Sequence, residues 1–486
     1  MNRFTRYIAA GLVLGSAGLT GCDFTDGNDI DPNAATSANA ALLLTAGELG
    51  QILLQEGDFA RVAGIFSAQF TGSDRQYSAI DRAGVTSDDF SNTWSSAYQD
   101  AIAQLDLAEQ GFEASNNRVG AGVARMHKAL AFGTMADLFG DIPFEQALDA
   151  DEFPNPAFTP QADVYRGVIA MLTEAIEDIE SGVGAANGDI FLGNDLQAAY
   201  TIRARFYLHL GDYANALASA QRGISEPSNN LVAPHGEARN SDSNLYWSFA
   251  ADSRAGYLTA ENAFAIRLLA EGTDRYRGNS KTEETERLQY FYVFDRDKTT
   301  IVPVVAGAEL NTDDGAYAQG EDFAFVTYAE NQLIIAESLL LANNDENGAL
   351  NALNEYRETL DDQYKEFVTN QAGVVLDSTG YYLPYAIGDF DPSGVANNGT
   401  ESRRNALLRE ILEEKYLSLI GQIEAYNDVR RTDNFIGVPG KLNGLVPQRF
   451  LYARTEINAN TSAPNPIPGV GQETPVNQSI TYTGAG

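Results

Sequence analysis

The clearest pattern of apolar and polar positions lies in residues 194–224 and predicts two short helices that fold back on each other. Apolar residues recur at steps of three and four from Leu196 to Leu210, which is the spacing of one helix face. Gly211 and Asp212 interrupt the pattern, and it resumes directly afterwards. The apolar face is too wide for one hairpin to bury, so the unit needs stacked helical neighbours.

This hairpin resembles a tetratricopeptide repeat, and the turn GDYANAL is its most specific part. A second copy is predicted at residues 330–359, and residues 126–148 and 163–179 supply further amphipathic helices at weaker spacing. An ordinary bundle of helices is the alternative. In either case the fold class is mostly α.

The same spacing predicts other helices along the chain, at residues 40–55, 59–70, 91–112, 122–139, 161–180, 259–270, 322–341, 349–367 and 402–426. Runs rich in aromatic and β-branched residues predict short strands at 288–294 and 300–305. Residues 225–260 and 371–399 lack periodicity and are rich in polar residues. Loops this long in a compact chain usually carry function or lie over a scaffold.

The net charge of −35 excludes nucleic acid as a natural partner, because a phosphate backbone requires basic neutralisation. It also disfavours direct binding to an anionic membrane surface. The acidic residues are scattered rather than grouped, which predicts a hydrated surface whose self-repulsion salt would screen. A high-salt habitat is therefore a hypothesis.

Residues 1–21 have the pattern of a secretory leader, with a basic start, an apolar run over 7–19 and small residues at the end. The end of this leader and the next residue, Leu19-Thr20-Gly21-Cys22, resemble the bacterial lipobox, in which the cysteine is acylated. A plain leader followed by a free thiol is the alternative. Lipidation of Cys22 would attach the protein to a membrane without a spanning helix.

Several stretches together resemble one family. They are MADLFGDIPF at 135–144, SNTWSSAYQDAI at 91–102, ILEEKYLSLIGQIEAYNDVRRTDNF at 411–435 and VPQRFLYARTEINAN at 446–460. With the lipobox, they make the chain similar to the SusD/RagB family of outer-membrane nutrient-binding lipoproteins. The acidic residues directly after Cys22 also resemble the surface-export signal of Bacteroidetes lipoproteins.

The resemblance implies a mostly helical fold, in which tetratricopeptide-like hairpins form a superhelix packed against an irregular, loop-rich half with a few short strands. It also implies a partner, a SusC-like TonB-dependent transporter, and a position in the outer membrane facing the cell exterior. The chain is divided accordingly into a leader (1–21), a flexible acidic tether (22–37) and one SusD-like domain (38–486), with helical parts at 38–224 and 322–430, loop-rich parts at 225–321 and 370–400, and an irregular tail at 431–486.

Glu424, Asp428, Arg430 and Arg431 come close together in the late helix. Guanidinium groups there can hold the outgoing loop against the helix end through bidentate contacts. The structural interpretation is preferred, and a ligand role for Arg430 is the alternative.

Sugar recognition requires flat aromatic surfaces with a few polar groups around them. The aromatic and polar residues that lie in or near predicted loops are the candidates, namely Arg75, Tyr77, Trp94, Asn244, Tyr246 and Trp247. Trp94 has Tyr98 four residues later on a predicted helix, so packing is an alternative for it, as it is for the group around Trp247.

Metal and catalytic motifs are sparse in this sequence. Asp389 and Asp391 open a weak calcium-loop pattern, but Pro392 interrupts it and Glu401 comes one position late. His127 and His209 have no partner at metal-ligand spacing, so no zinc site is predicted. No catalytic motif is recognised, and no cofactor is expected beyond the calcium alternative.

The preferred interpretation is a non-catalytic lipoprotein that captures a nutrient, most readily an oligosaccharide, and delivers it to the transporter. Capture of a peptide is an alternative within the same family. A tetratricopeptide-like scaffold that binds only other proteins is a second alternative, and a secreted helical glycosidase is a third.

Overall fold

The computed structural model of the 486-residue chain describes residues 39–294, 307–364, 381–479 and 482. The predicted leader, the tether, Cys22 and the strand at 300–305 lie outside these residues. Helices dominate the described part, as the predicted fold class requires. They are α1 (Ala40–Glu56), α2 (Asp58–Phe66), α3 (Arg75–Ile80), α4 (Ser91–Ser96), α5 (Ala103–Ala114), α6 (Arg118–Phe139), α7 (Gln161–Glu180), α8 (Asp195–His209), α9 (Tyr213–Ala220), α10 (Leu245–Trp247), α11 (Phe264–Leu269), α12 (Thr285–Phe291), α13 (Tyr328–Asn343), α14 (Glu346–Tyr364), α15 (Arg403–Ser418), α16 (Ile423–Arg431), α17 (Arg454–Ala459) and α18 (Pro475–Ser479).

The helical hairpin predicted at 194–224 is confirmed as α8 and α9. The side chains of Asn194 and Asp212 cap the two helices by accepting hydrogen bonds from backbone N–H groups. Gly211 makes the turn between them at a φ of 71°, a conformation that glycine adopts without strain. The hairpin packs against α7 on one side and α13 on the other, so its wide apolar face is covered by helical neighbours.

The neighbouring helices extend this hairpin into a continuous stack. Helix α1 packs on α5, α5 on α6, α6 on α7, and α7 on α8. On the other side, α9 packs on α13, which also contacts α14 and α15. The predicted second hairpin is present as α13 and α14. This order of contacts is the superhelix that the tetratricopeptide-like pattern predicts.

Short antiparallel strand pairs join the loop-rich segments to the helices. The strands are β1 (Thr71–Gly72), β2 (Ile142–Pro143), β3 (Phe158–Thr159), β4 (Leu231–Ala233), β5 (Leu258–Thr259), β6 (Tyr292–Val293), β7 (Glu309–Leu310) and β8 (Phe323–Val326). They pair as β1 with β5, β2 with β3, β4 with β8 and β6 with β7. The β1–β5 pair fixes the segment around Leu258 beside the first helices.

Several sequence predictions are wrong in detail. The helix expected over 322–341 contains strand β8 at its start, and α13 begins only at Tyr328. The helix expected over 259–270 is helical only from Phe264, where α11 begins.

The helix expected over 402–426 is two helices, because Gly421 takes a φ of 89° between α15 and α16. The carbonyl of Gly421 accepts a hydrogen bond from the Tyr246 hydroxyl, and its N–H donates to Gln69. The strand expected over 288–294 begins as α12 and becomes extended only at Tyr292.

The irregular tail reaches the centre of the core. The ring of Phe450 lies 5.4 Å from that of Phe59 in α2, 4.8 Å from that of Phe90 and 6.0 Å from that of Tyr426 in α16. Phe59, Phe90 and Phe450 are fully buried. Burying each such ring contributes roughly 1.5–3 kcal/mol, so a tail with little regular structure still stabilises the fold.

The structural interpretation of the late arginines is confirmed. Arg430 donates hydrogen bonds to the carbonyls of Asp137 and Gln448, each at 3.0 Å, and thereby holds the outgoing loop against the helix end. Arg431 forms a bidentate ion pair with the buried Glu337, at 2.8 and 2.7 Å. In the residues that the structure describes, no helix combines the length and apolarity needed to cross a membrane.

Candidate ligand cleft

A cleft of about 330 Å³ opens between the helical stack and the loop-rich half. Three segments line it: the turn between α1 and α2, the start of the helix that begins with α4, and the segment that begins with α10. The lining residues are Gly50, Leu53, Leu54, Gly57, Asp58, Arg61, Asn92, Thr93, Ser96, Ala97, Leu245, Ser248, Phe249 and Ser253. The cleft thus combines an apolar surface with several hydroxyl, amide and charged groups, which suits a small polar ligand.

Close helix packing shapes one wall of the cleft. Gly50 lies against the π-helical segment Ala97–Ile102, and a Cβ on Gly50 would come within 2.4 Å of the Asp100 carbonyl oxygen. Only glycine therefore allows α1 to approach this segment so closely. Leu53 lies about one turn further along α1, also lines the cleft, and remains about half exposed.

The last residue of α1 holds the loop-rich wall in place. The buried carboxylate of Glu56 accepts hydrogen bonds from the Leu245 N–H at 2.6 Å and from Nε2 of His235 at 2.8 Å. Asn244 caps the short α10 by accepting from the N–H groups of Tyr246 and Trp247. These contacts fix the orientation of the segment that carries Phe249.

The floor of the cleft is an ion-paired cluster. Arg61 donates from Nε to the Tyr77 hydroxyl at 2.9 Å, and that hydroxyl donates to Asp58 at 2.8 Å. Burial raises the pKa of Tyr77 well above its ordinary value. Burial opposes the charge of Arg61, but Tyr77 and Asp58 raise the pKa of its guanidinium. Arg61 therefore stays cationic beside the cleft.

An aromatic surface extends from this floor. The Phe249 ring lies 4.3 Å from the Arg61 guanidinium carbon and 4.8 Å from the Tyr77 ring. The centre of the Tyr257 ring is 6.4 Å from that of Phe249. The guanidinium carbon of Arg254 lies 5.9 Å from the centre of the Tyr257 ring. Phe249 and Tyr257 are both partly exposed, so part of each ring remains available for contact with a ligand.

Four of the six predicted ligand residues lie in the interior. Tyr77 and Trp94 retain only 2% and 3% of their exposure, and Asn244 and Tyr246 retain none. Trp94 packs edge-on against Phe139, with ring centres 4.8 Å apart. The rings and amides of these four residues are already engaged within the fold, as the packing alternative for Trp94 and for the group around Trp247 requires; a ligand role for the four stays a prediction.

The other two predicted ligand residues keep access to solvent. Arg75 is largely exposed, takes a φ of 47°, and lies 5.8 Å from the centre of the Tyr257 ring. Trp247 is partly exposed and immediately precedes a cleft-lining residue, Ser248. Both therefore remain near the candidate surface.

Sequence reasoning missed Phe249, Tyr257 and Arg61. The first two lie in the same irregular, aromatic stretch as Trp247, so the density of aromatic residues there could have indicated them. Arg61 lies inside a predicted amphipathic helix. Its role depends on contacts with residues 77 and 249, and the local pattern contains no sign of these contacts.

The calcium candidates are paired with cationic side chains. Asp389 accepts from Lys281 Nζ at 2.7 Å, and Asp391 accepts from Arg403 Nε at 2.7 Å. Glu401, which would close the loop, is paired with Arg409. Calcium binding at this loop stays a prediction.

The structure gives both helical histidines carboxylate neighbours, which corrects the expectation that they lack partners. Nδ1 of His209 lies 2.8 Å from Asp137, and its Nε2 lies 2.8 Å from Glu424. Burial alone would lower the pKa of His209, but these two carboxylates raise it to about 9. This buried group acts as an ion-paired clamp between α6, α8 and α16. His127 lies near Glu48 and Asp189 in a second buried group.

Residues 32–248 match the model of a family named SusD-like and described as starch-binding and associating with the outer membrane. This match includes most of the cleft-lining residues. Among the curated proteins, none matches the sequence.

The fold is similar to that of several solved structures. A SusD/RagB family protein from Bacteroides thetaiotaomicron VPI-5482 is 19% identical, with a TM-score of 0.65 over 92% of this chain and 97% of that one. A SusD homolog from Bacteroides uniformis ATCC 8492 is 15% identical, with a TM-score of 0.65 over 90% of this chain and 99% of that one. A chitin-binding SusD homolog from Flavobacterium johnsoniae is 12% identical, with a TM-score of 0.62 over 91% and 99%.

Proposed function

We propose that this chain is a SusD-like protein and that it captures an oligosaccharide at the cell surface without cleaving it. The family match over residues 32–248 and the similarity of the fold support this proposal. The observation that carries this proposal is the aromatic cleft beside the helical stack. The partly exposed ring of Phe249 in the cleft, and that of Tyr257 just outside its lining at 6.4 Å from Phe249, can stack on the apolar faces of sugar rings. Asn92, Ser248 and other polar groups of the lining can bind hydroxyls.

The energetics of the cleft suit a protein that must later release its ligand. The walls are held by the Glu56 contacts and by the close packing at Gly50, so little ordering entropy is lost on binding. Stacking on two rings contributes on the order of 1 kcal/mol each beyond the buried area. Such contacts give modest affinity, which permits transfer to a second protein.

We further propose that the ligand passes to a SusC-like TonB-dependent transporter and that lipidated Cys22 attaches the protein to the outer membrane. The outer-membrane description of the matching family supports this placement. Co-purification of a large β-barrel protein with the chain would test the partner. Replacement of Cys22 by alanine should release the protein from membranes, and retention of that variant would contradict the anchor.

A glycan panel that includes starch and chitin oligosaccharides tests the capture proposal by calorimetry. Phe249→Ala and Tyr257→Ala should each weaken binding about tenfold, which corresponds to about 1.4 kcal/mol. Tyr207→Ala is the matched control, since this partly exposed tyrosine lies on α8, among the residues of a separate cluster away from the cleft. Equal binding by all three variants would contradict the assignment of the cleft.

The same samples separate the alternatives. Chromatography of the glycans after incubation would reveal products if the protein were a glycosidase. An array of peptides tests the second candidate, an acidic peptide, which the exposed guanidinium groups of Arg75 and Arg254 beside Tyr257 favour. If the protein bound neither glycans nor peptides, the result would favour the alternative of a protein-binding scaffold.

We propose a high-salt habitat as the reason for the net charge of −35. Salt would screen the repulsion among the scattered acidic residues. Dialysis into low salt should lower the unfolding temperature, and an unchanged unfolding temperature would contradict the proposal.

A further inference from the structure

Three side chains that can bind a metal meet in the interior, away from the cleft. Glu48 lies on α1, His127 on α6, and Asp189 in the loop that precedes α8. One potential ligand atom from each residue lies within 4.8 Å of the other two. Glu48 and His127 are completely buried, and Asp189 is partly exposed, so the group has one side near solvent.

Three buried polar atoms of this group have no hydrogen-bond partner among the described residues. Neither ring nitrogen of His127 has a hydrogen-bond partner among the described residues, and Oε1 of Glu48 has none either. Buried polar atoms are paired in the great majority of cases, because leaving one unpaired costs roughly 1–3 kcal/mol. An unpaired imidazole beside an unpaired carboxylate oxygen therefore requires an explanation.

Two of the carboxylate oxygens accept hydrogen bonds from the backbone. Oε2 of Glu48 accepts from the Ile190 N–H at 2.8 Å, and Oδ1 of Asp189 accepts from the Phe191 N–H at 2.9 Å. The Phe191 ring packs on the imidazole of His127, with ring centres 4.8 Å apart. These contacts orient the side chains in the way that outer contacts orient the ligands of metal sites.

We propose that Glu48, His127 and Asp189 bind a divalent transition-metal ion, with Zn²⁺ as the expected species. An imidazole with two carboxylates is a ligand set that zinc accepts, whereas calcium and magnesium prefer oxygen ligands alone. Nε2 of His127 lies 3.6 Å from Oε1 of Glu48. Two ligands of a tetrahedral zinc ion are roughly 3.3 Å apart, so this pair already has a suitable separation.

A bound ion would join three separate parts of the chain. It would tie the loop at Asp189 to α1 and α6, in a protein whose single cysteine permits no internal disulfide. The α1 end of this group lies two turns before Glu56, which holds the loop-rich wall of the cleft. The ion would thus be a structural metal that stabilises the helical stack beside the cleft.

The test is metal binding to the purified full chain after chelation, with Zn²⁺, Ca²⁺ and Mg²⁺ added separately. The wild type should bind one Zn²⁺ per chain by elemental analysis after desalting, and its unfolding temperature should rise. Because a chain of charge −35 attracts cations in general, His127→Gln and Glu48→Gln are needed as variants of the site. Each should weaken Zn²⁺ binding at least about tenfold, while the circular dichroism spectrum in chelator remains that of the wild type.

Co²⁺ gives a second readout that does not depend on the variants. In the wild type it should give the intense visible absorption bands of a tetrahedral complex with nitrogen and oxygen ligands. Loss of all bound Zn²⁺ on desalting, or equal Zn²⁺ retention by wild type and both variants, would overturn the proposal. In that case Glu48 and Asp189 share a proton, and the group has no cation.

Discussion

Two buried groups of one histidine and two carboxylates in this molecule are chemically alike, yet they are built differently. In the group of Asp137, His209 and Glu424, both ring nitrogens lie 2.8 Å from a carboxylate oxygen, which is the length of a charged hydrogen bond. In the group of Glu48, His127 and Asp189, Nε2 of His127 lies 3.6 Å from Oε1 of Glu48, which is too long for a hydrogen bond. Both ring nitrogens of His127 are unpaired among the described residues. The same residue types therefore form an ion-paired clamp in one place and a candidate metal site in the other.

The difference teaches that separation, rather than composition, decides the protonation of a buried histidine. Direct contact with two carboxylates raises the pKa of His209 to about 9, although burial opposes its charge. Without such contact, burial lowers the pKa of His127 to about 3. One histidine is thus charged and the other neutral at the same pH.

The largest expected effect comes from removing the charged histidine. His209→Leu leaves Asp137 and Glu424 buried without their cation, which should lower the free energy of unfolding by about 3–5 kcal/mol. His127→Leu removes no hydrogen bond, so in chelator it should change the free energy of unfolding by less than about 1.5 kcal/mol. Urea denaturation followed by circular dichroism measures both, and equal losses would contradict the distinction.

The next effect is the pH dependence of stability. Between pH 6.5 and about 9 the folded state retains a proton on His209 that the unfolded chain has lost, so stability falls as pH rises through this window. The rise in the pKa of His209 corresponds to a fall of roughly 3 kcal/mol in the free energy of unfolding across this window. Urea denaturation at pH 6 and pH 9.5 measures it. The fall should persist in His127→Gln and become smaller by this amount in His209→Gln, where Glu48, whose pKa burial raises to about 10, still contributes its own fall. An undiminished fall in His209→Gln would contradict the assignment to His209.

A smaller change should result from neutralising one carboxylate of the clamp. Asp137→Asn keeps an oxygen that can accept a hydrogen bond but removes one of the two charges that raise the pKa of His209. We expect the free energy of unfolding to fall by about 1–2 kcal/mol, and we expect a lower titration midpoint for His209. Nuclear magnetic resonance of the labelled imidazole measures this midpoint. An unchanged midpoint would show that Glu424 alone sets it.

The smallest expected effect belongs to His127→Gln in the presence of chelator. Glutamine fills a similar volume and replaces atoms that have no partner, so the unfolding temperature should move by no more than about 2 °C. Differential scanning calorimetry measures this change. A large loss would mean that His127 contributes to stability without a metal.

The helical half of the fold could be predicted from the sequence because its pattern is local. The spacing from Leu196 to Leu210 and the break at Gly211 lie within one hairpin, and the structure has that hairpin. The break at Gly421 was missed because an apolar pattern continues across it. The turn there is fixed by distant partners, Tyr246 and Gln69.

The clamp and the cleft could not be predicted in the same way. His209 is 72 residues from Asp137 and 215 residues from Glu424, so no spacing along the chain indicates the contact. In the cleft, Tyr77 and Phe249 are both aromatic residues of polar segments. Only the tertiary packing decides that Tyr77 is buried beneath the surface while Phe249 is accessible.

The position of Phe450 has a consequence for biogenesis. Its ring completes a core whose other members, Phe59, Phe66 and Phe139, come from the first third of the chain. Until almost the whole polypeptide has been synthesised, these early rings lack one of their packing partners. The first helices therefore cannot reach their final packing as they emerge, and a chaperone that shields aromatic surface would keep the incomplete chain from aggregating.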